Sequence, residues 1–238
     1  MFLTQVETAG RTWPYATCVA VSNDTLLTTA REAAQLAAWR AEKGFKIWVT
    51  RQAAGFKEEV QDIRIHGLFA SLPEESNEGI FVDLGLLTVR TKLLKAAPLA
   101  LPEELAELKE GLPVSCFGFA PEGGKITEFD KFEPQLNRGK VFVVIGSQKL
   151  PSKAWELGVT AEIPKNAYGS PIVNAKGKII GIYGEAATPP GDNGARAGAP
   201  ALKNLHYAPV VNSELIKNDK LWVPAAAAPT VQRPQDKR

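Results

Sequence analysis

Residues 161–184 read AEIPKNAYGSPIVNAKGKIIGIYG. Two short apolar, β-branched runs, PIVN and KIIGIYG, flank NAKGK, where Asn and Gly accept the backbone angles of a tight hairpin turn. Ahead of the hairpin lies the loop Asn166–Ala167–Tyr168–Gly169–Ser170, closed by Pro171 at the position where a strand tolerates proline best, its first residue. The stretch therefore predicts loop, strand, turn, strand.

The same pattern extends over most of the chain. ATCVAVS, TLLTTA, FKIWVTR, EVQDIRIHGLF, FVDLGLLTV, PVSCFGF, KVFVVIGSQ and WELGVTAEI join SPIVN and KIIGIYG as short strand-like runs. Gly, Pro, Asn and Asp bound most of them, and SNDT reads as a second hairpin turn. Many short strands separated by turns predict barrels or a sandwich. Two segments break the pattern. Residues 29–44 are Ala-rich with helical spacing, and residues 102–111, PEELAELKEG, read as a short acidic helix ending at Gly111. With strands on both sides, residues 96–112 read as a connector, which divides the chain into β units at 1–95 and 113–222. Residues 185–200 are poor in apolar side chains and read as a surface loop. Residues 223–238, VPAAAAPTVQRPQDKR, read as an Ala/Pro-rich linker or disordered tail.

Composition narrows the class. The chain has 238 residues, 45% of them apolar, enough to bury a core without covalent staples. Its formal charge of +2 is too weak to argue for nucleic acid or an anionic membrane. No apolar run has the length of a spanning helix, about 20 residues, so no membrane insertion of this segment is expected. The start, MFLTQVETAGRTWPY, lacks the apolar core of a signal peptide. The chain is then either cytoplasmic or a tethered domain of a longer membrane or exported protein. Cys18 and Cys116 each sit in an apolar strand-like run and read as buried free thiols; a disulfide between them stays open, without geometry to support it. His66 and His206 are the only imidazoles, and with no ligand spacing among them and the two cysteines neither a metal nor a cofactor is expected.

Three segments in order carry a resemblance. CVAVSNDTLLTTAREA is similar to a strand, turn, strand and "LTxAH" sequence that ends in a catalytic histidine. VDLGLLTV is similar to "DLALLKV", with its catalytic aspartate. NAYGSPIVNAKGKIIGI is similar to "GNSGGPLVNxxGxVIGI", with its nucleophilic serine. HYAPVV (206–211) resembles the "FAIPV" strand that precedes a final helix, here NSELIKND. Together they make the chain resemble the trypsin-like, chymotrypsin-fold serine proteases, especially bacterial ones of the stress-protease type, over roughly residues 14–222. The resemblance implies an all-β fold: two six-stranded antiparallel β-barrels, a cleft between them and a short C-terminal helix. It places Arg31 at the histidine, Asp83 at the aspartate and Tyr168 at the serine. The steps are 52 positions from Arg31 to Asp83 and 85 from Asp83 to Tyr168.

Only one of those three residues suits the chemistry. The mechanism needs a hydroxyl nucleophile, a base that exchanges protons near neutral pH, and a carboxylate to orient the base. An arginine side chain stays protonated and cannot be the base. A phenol is a poor acyl acceptor and crowds the position of attack. Asn166 and Ala167 stand where the oxyanion loop has glycine and its neighbour, and Ser170 replaces a further glycine. Gly169 and Pro171 are retained, which a role in the fold explains. Asp83 has two readings: an ion pair with Arg31, or a turn cap facing solvent. The ion pair is favoured, because an unpaired buried carboxylate is costly, and it leaves the ring of Tyr168 room to lie over the guanidinium.

The function implied is a trypsin-like serine protease homologue without a functional triad, a pseudoprotease. It would bind a protein or an extended peptide, or serve as a structural module, without nucleic acid. Binding would fall to the former oxyanion loop (Asn166, Ala167, Gly169, Ser170) and to a former substrate strand (Gly181, Tyr183, Gly184), since strand addition needs main-chain hydrogen bonds and no triad. The competing reading is an active serine- or cysteine-type peptidase with a relocated nucleophile, Cys18 or Cys116 beside a histidine. Strand-interior burial, which raises a thiol pKa, speaks against it.

Overall fold

The computed structural model describes residues 1–51, 55–72, 82–91, 95–119, 134–146, 155–163, 167–184 and 205–227. Asn166, the 185–200 loop and the chain beyond Ala227 lie outside the described residues.

The first barrel is built from β1 (Phe2–Thr8), β2 (Arg11–Ala20), β3 (Thr25–Thr28), β4 (Lys46–Arg51), β5 (Phe56–His66) and β6 (Gly85–Val89). Its strands run β5-β4-β1-β2-β3-β6, and β5 pairs back to β6, which closes it. The eleven-residue β5 can do this because its first half pairs with β4 and its second half with β6. A helix, α1 (Ala30–Ala41), leaves β3 and covers the barrel, and α2 (Gly67–Ser71) follows β5. Phe2, Val6, Leu26, Leu36, Ile47, Val49 and Ile65 fill this barrel's core, each 1% exposed or less.

Residues 95–112 cross to the second barrel. Ala97 N donates to Ala20 O (2.8 Å) on the first barrel, and Ala100 N donates to Ile179 O (2.9 Å) on the second. The connector helix, α3, spans only Pro102–Ala106; Gly111 sits beyond it at φ +86° in the turn that enters the next strand. Glu104 on α3 accepts two 2.8 Å bonds from Lys178 Nζ and so ties the connector to the hairpin of the second barrel.

The second barrel contains β7 (Pro113–Gly118), β8 (Gln135–Gly146), β9 (Trp155–Ala161), β10 (Pro171–Asn174), β11 (Ile179–Ile182) and β12 (Leu205–Pro209), in the order β11-β10-β7-β8-β9-β12. A bridge between Gly181 and Val210 brings its two ends together. The fold is thus the two-barrel, all-antiparallel architecture that the motifs imply, with α4 (Ser213–Lys217) after the last barrel strand.

Two features depart from the sequence reading. β1 is a full strand, paired with both β2 and β4, where the opening residues carry no strand assignment. Its turn is Ala9–Gly10, both at positive φ (48° and 74°), an unusual pair for a two-residue hairpin turn and hence a weak sequence signal. The second correction concerns residues 223–227, read as the start of a disordered tail. β13 (Trp222–Pro224) pairs with β5, and Ala225, 3% exposed, joins the first barrel's core. The chain therefore returns to the first barrel after finishing the second. Pro224 is tolerated because β13 is the edge strand of its sheet. Among the described residues no helix is long and apolar enough to cross a membrane.

Gly169 is the backbone position on which the contact between barrels turns. It lies at φ +82°, and a Cβ there would run into the Thr17 carbonyl. Gly177, at φ +73°, has open space where its Cβ would be. Gly169→Ala should cost about 2–4 kcal/mol, a left-handed penalty plus a clash with backbone that cannot move alone. Gly177→Ala should cost only about 1–2 kcal/mol. Equilibrium denaturation of both variants checks the difference; equal losses would contradict it.

Candidate functional site

Thr29 caps α1: its hydroxyl accepts the amide of Glu32 at 3.2 Å. That satisfies one of the amides a helix N-terminus leaves open. A second is satisfied from outside the helix. Asp83, in the short segment before β6, accepts the amide of Arg31 on Oδ1 at 3.0 Å. Its other oxygen, Oδ2, lies 3.8 Å from Arg31 Nε. The carboxylate side chain is 3% exposed and the arginine side chain 20%. A negative group at the positive end of a helix, facing a guanidinium, has two favourable fields for its burial.

The loop around Tyr168 is held by main-chain bonds from both barrels. Tyr168 O accepts from Thr17 N on β2 (2.9 Å). Gly169 N donates to Tyr183 O (2.8 Å), and Tyr183 N donates to Ser170 O (2.8 Å). Ser170 N donates to Ala167 O (3.2 Å), and the Ser170 hydroxyl donates to the same carbonyl in a short bond. Thr28 Oγ1 donates to Thr17 O (3.0 Å), and Phe119 N donates to Thr17 Oγ1 (2.9 Å), so one first-barrel residue meets two segments of the second. Thr17 and Thr28 are fully buried polar residues inside apolar strands, where a buried hydroxyl needs a partner. The sequence reading passed over both, and over the cap Thr29.

The ring of Tyr168 stacks on Tyr183, centroids 5.8 Å apart and planes 18° apart. Tyr183 in turn meets His206 edge to face at 5.2 Å. Gly184 then approaches Asp83: a Cβ there would stand 2.9 Å from Oδ2. Arg31 and Asp83 are thus in contact, and Tyr183 and Gly184 lead from the Tyr168 ring toward Asp83.

Several expected binding residues have structural work. Gly181 pairs with Ile172 on one side and bridges Val210 on the other, so it is not an open strand edge; barrel closure occupies it. Both main-chain groups of Tyr183 hold the Tyr168 loop. Ala167 and Ser170 are buried, at 1% and 0% exposure, with their side chains turned inward. The thiols proposed as alternative nucleophiles are free and buried. Burial pushes Cys18 up to about 12, and burial pushes Cys116 up to about 12 against a hydrogen bond from Ser170. Desolvation also lowers both imidazoles, His66 to about 4. Among the described residues no group of three or more His, Cys, Asp or Glu side chains could hold a metal ion.

No protein-family model matches the sequence, and no curated protein matches it. Solved structures do share its architecture. The HtrA-type protease AlgW, solved with a decapeptide, superposes with a TM-score of 0.56 at 16% identity, over 90% of this chain and 60% of that one. Deg5 gives 0.52 at 17% identity, over 90% of this chain and 84% of that one. The similarity is one of fold, and this chain spans about three fifths of the length of AlgW.

Neither thiol should be available as a nucleophile. In the folded protein Cys18 and Cys116 should resist iodoacetamide at pH 8, and both should be alkylated after unfolding in guanidinium. Mass spectrometry after timed quenching reads this; labelling of either folded-state thiol at the rate of a free thiol would contradict it.

Proposed function

We propose that the chain is a catalytically inert relative of the trypsin-like serine proteases, whose double barrel binds a protein or an extended peptide. The observation that carries the reading is the engagement of Asp83. Its carboxylate accepts the Arg31 amide at 3.0 Å and faces the Arg31 guanidinium at 3.8 Å. At the place where a triad carboxylate orients an imidazole, this carboxylate meets a side chain that cannot take up a proton. Tyr168, which the motif resemblance aligns with the nucleophile, is a phenol stacked on a second phenol. The geometry thus supports an ion pair joining α1 to the loop before β6, in place of an acid–base relay.

The binding part of the reading rests on the retained fold. AlgW was solved with a decapeptide. A peptide here would lie beside the Leu205–Tyr207 end of β12, which pairs with β9 on one edge and meets Gly181 on the other at Val210. Main-chain hydrogen bonds would supply affinity, and the neighbouring Tyr183–His206 pair would supply a surface for alternate peptide side chains.

The purified protein should show no turnover of casein or small esters and no labelling by a fluorophosphonate. The double variant Arg31→His/Tyr168→Ser should stay far below an active relative, because the Tyr168 loop carries Ala167 and Ser170 packed inward. Turnover that disappears in Tyr168→Ala would overturn the inert reading. Peptide binding is tested separately by display selection of random decapeptides on the intact protein. Enriched peptides should shift the amide signals of β12; binders that leave β12 untouched would contradict the docking strand.

A further inference from the structure

We propose that His66 is a proton-operated latch: when its ring takes up a proton, the C-terminal strap Trp222–Ala227 releases from β5 and the contact between the two barrels loosens. His66 is the last residue of β5 and is 0% exposed. Neither ring nitrogen has a hydrogen-bond partner among the described residues. Its ring lies edge to face against Trp222 on β13, centroids 5.8 Å apart, and Trp222 is its direct partner in the strand ladder. The indole Nε1 of Trp222 also lacks a hydrogen-bond partner among the described residues. At this point the strap adds apolar and ring contacts to its short ladder with β5, and two polar rings are buried without hydrogen bonds among the described residues, which lowers the cost of opening it.

The position connects three parts of the molecule. Through its backbone amide His66 donates to Leu84 O (3.0 Å), next to Asp83. Trp222 belongs to the apolar cluster between the barrels, with Leu84 and Leu86 of the first and Ile179, Ile182 and Val211 of the second. α4 packs Leu215 and Ile216 on the same cluster. A proton on the ring makes both nitrogens donors and places a charge in this setting without an acceptor.

The charged groups on the surrounding elements are already engaged or lie on the helical segments before β13. On β5, Arg64 shares the His66 face and meets Asp62 at 3.4 Å and Asp219 at 3.5 Å. In the loop before β6, Asp83 is engaged by Arg31. α2 and β13 carry no titratable side chain; Lys220 precedes β13, and α4 carries Glu214 and Lys217. None of these groups hydrogen-bonds the imidazole among the described residues.

Burial lowers His66 from 6.5 to about 4. A histidine lowered in the closed state stabilises that state fully above its ordinary pKa. The stabilisation falls as pH drops below 6.5 and is gone below the closed-state value. Between pH 7.5 and pH 5 those two values raise the opening equilibrium about thirty-fold. Carboxylates of ordinary pKa stay largely ionised over that window.

The test uses the full 238-residue chain, whose two histidines are separable by NMR, with His206→Gln to assign the signals. The His66 ring should titrate well below 6.5. Exchange of the Val223 amide, which lies opposite Ile65 in the ladder, corrected for the intrinsic pH dependence, should report about thirty-fold more opening at pH 5 than at pH 7.5. In His66→Phe the rise should vanish while His206→Gln keeps it. A His66 ring that titrates at 6.5 or above overturns the proposal. So does equal exchange of the Val223 amide at both pH values, a wild-type result that stands even where His66→Phe fails to fold.

Discussion

A carboxylate taken out of water must be answered by donors or opposite charge, and Asp83 is 2% exposed. Arg31 meets both of its oxygens, through the main-chain amide at one end and the guanidinium at the other. Because Arg31 stands in the first turn of α1, the same contact completes the cap begun by Thr29 and sets where the helix starts. Gly184, pressed toward Oδ2, brings the second barrel to the same point. The aspartate therefore has a role in the fold that needs no catalysis.

The barrels meet through main chain as well as through that pair. Thr17 donates to the Tyr168 carbonyl, receives Thr28 on its own carbonyl and engages Phe119 through its hydroxyl. Gly169 is the residue whose missing side chain permits the approach. The forces that join the barrels therefore also hold the Tyr168 loop in its shape. The two ends of the chain support the first barrel from opposite sides of sequence, β1 in its wall and β13 on its edge.

Much of this was legible in the residues because strands with one buried face and turns with Asn or Gly leave a periodic trace. The hairpin after Tyr168 could be read that way; the Ala-rich helix after Thr29 was legible from its helical spacing, and the short helix after Asn212 from the family resemblance. Residues 223–227 could not: VPAAA has the composition of a linker, and only pairing with β5 gives it structure. β1 was obscured by a turn of Ala9–Gly10 that lacks the usual Asn or Asp. Gly181 and Tyr183 looked like an accessible strand edge because sequence shows alternation along a strand and says nothing about which neighbour closes the barrel. The proximity of Arg31 to Asp83 followed from motif order; Thr17 as the polar link between barrels did not, since a threonine in a strand is also ordinary β preference.

The claim on which the account rests is that Asp83 and Arg31 now form a structural ion pair. A double-mutant cycle with Arg31→Met, Asp83→Asn and the double variant, read by equilibrium unfolding near neutral pH, measures it directly. These substitutions leave the helix amide an acceptor and remove the charge–charge contact. A coupling of about 1–3 kcal/mol is predicted for a pair this buried. Additive losses, within about 0.5 kcal/mol, would contradict the account.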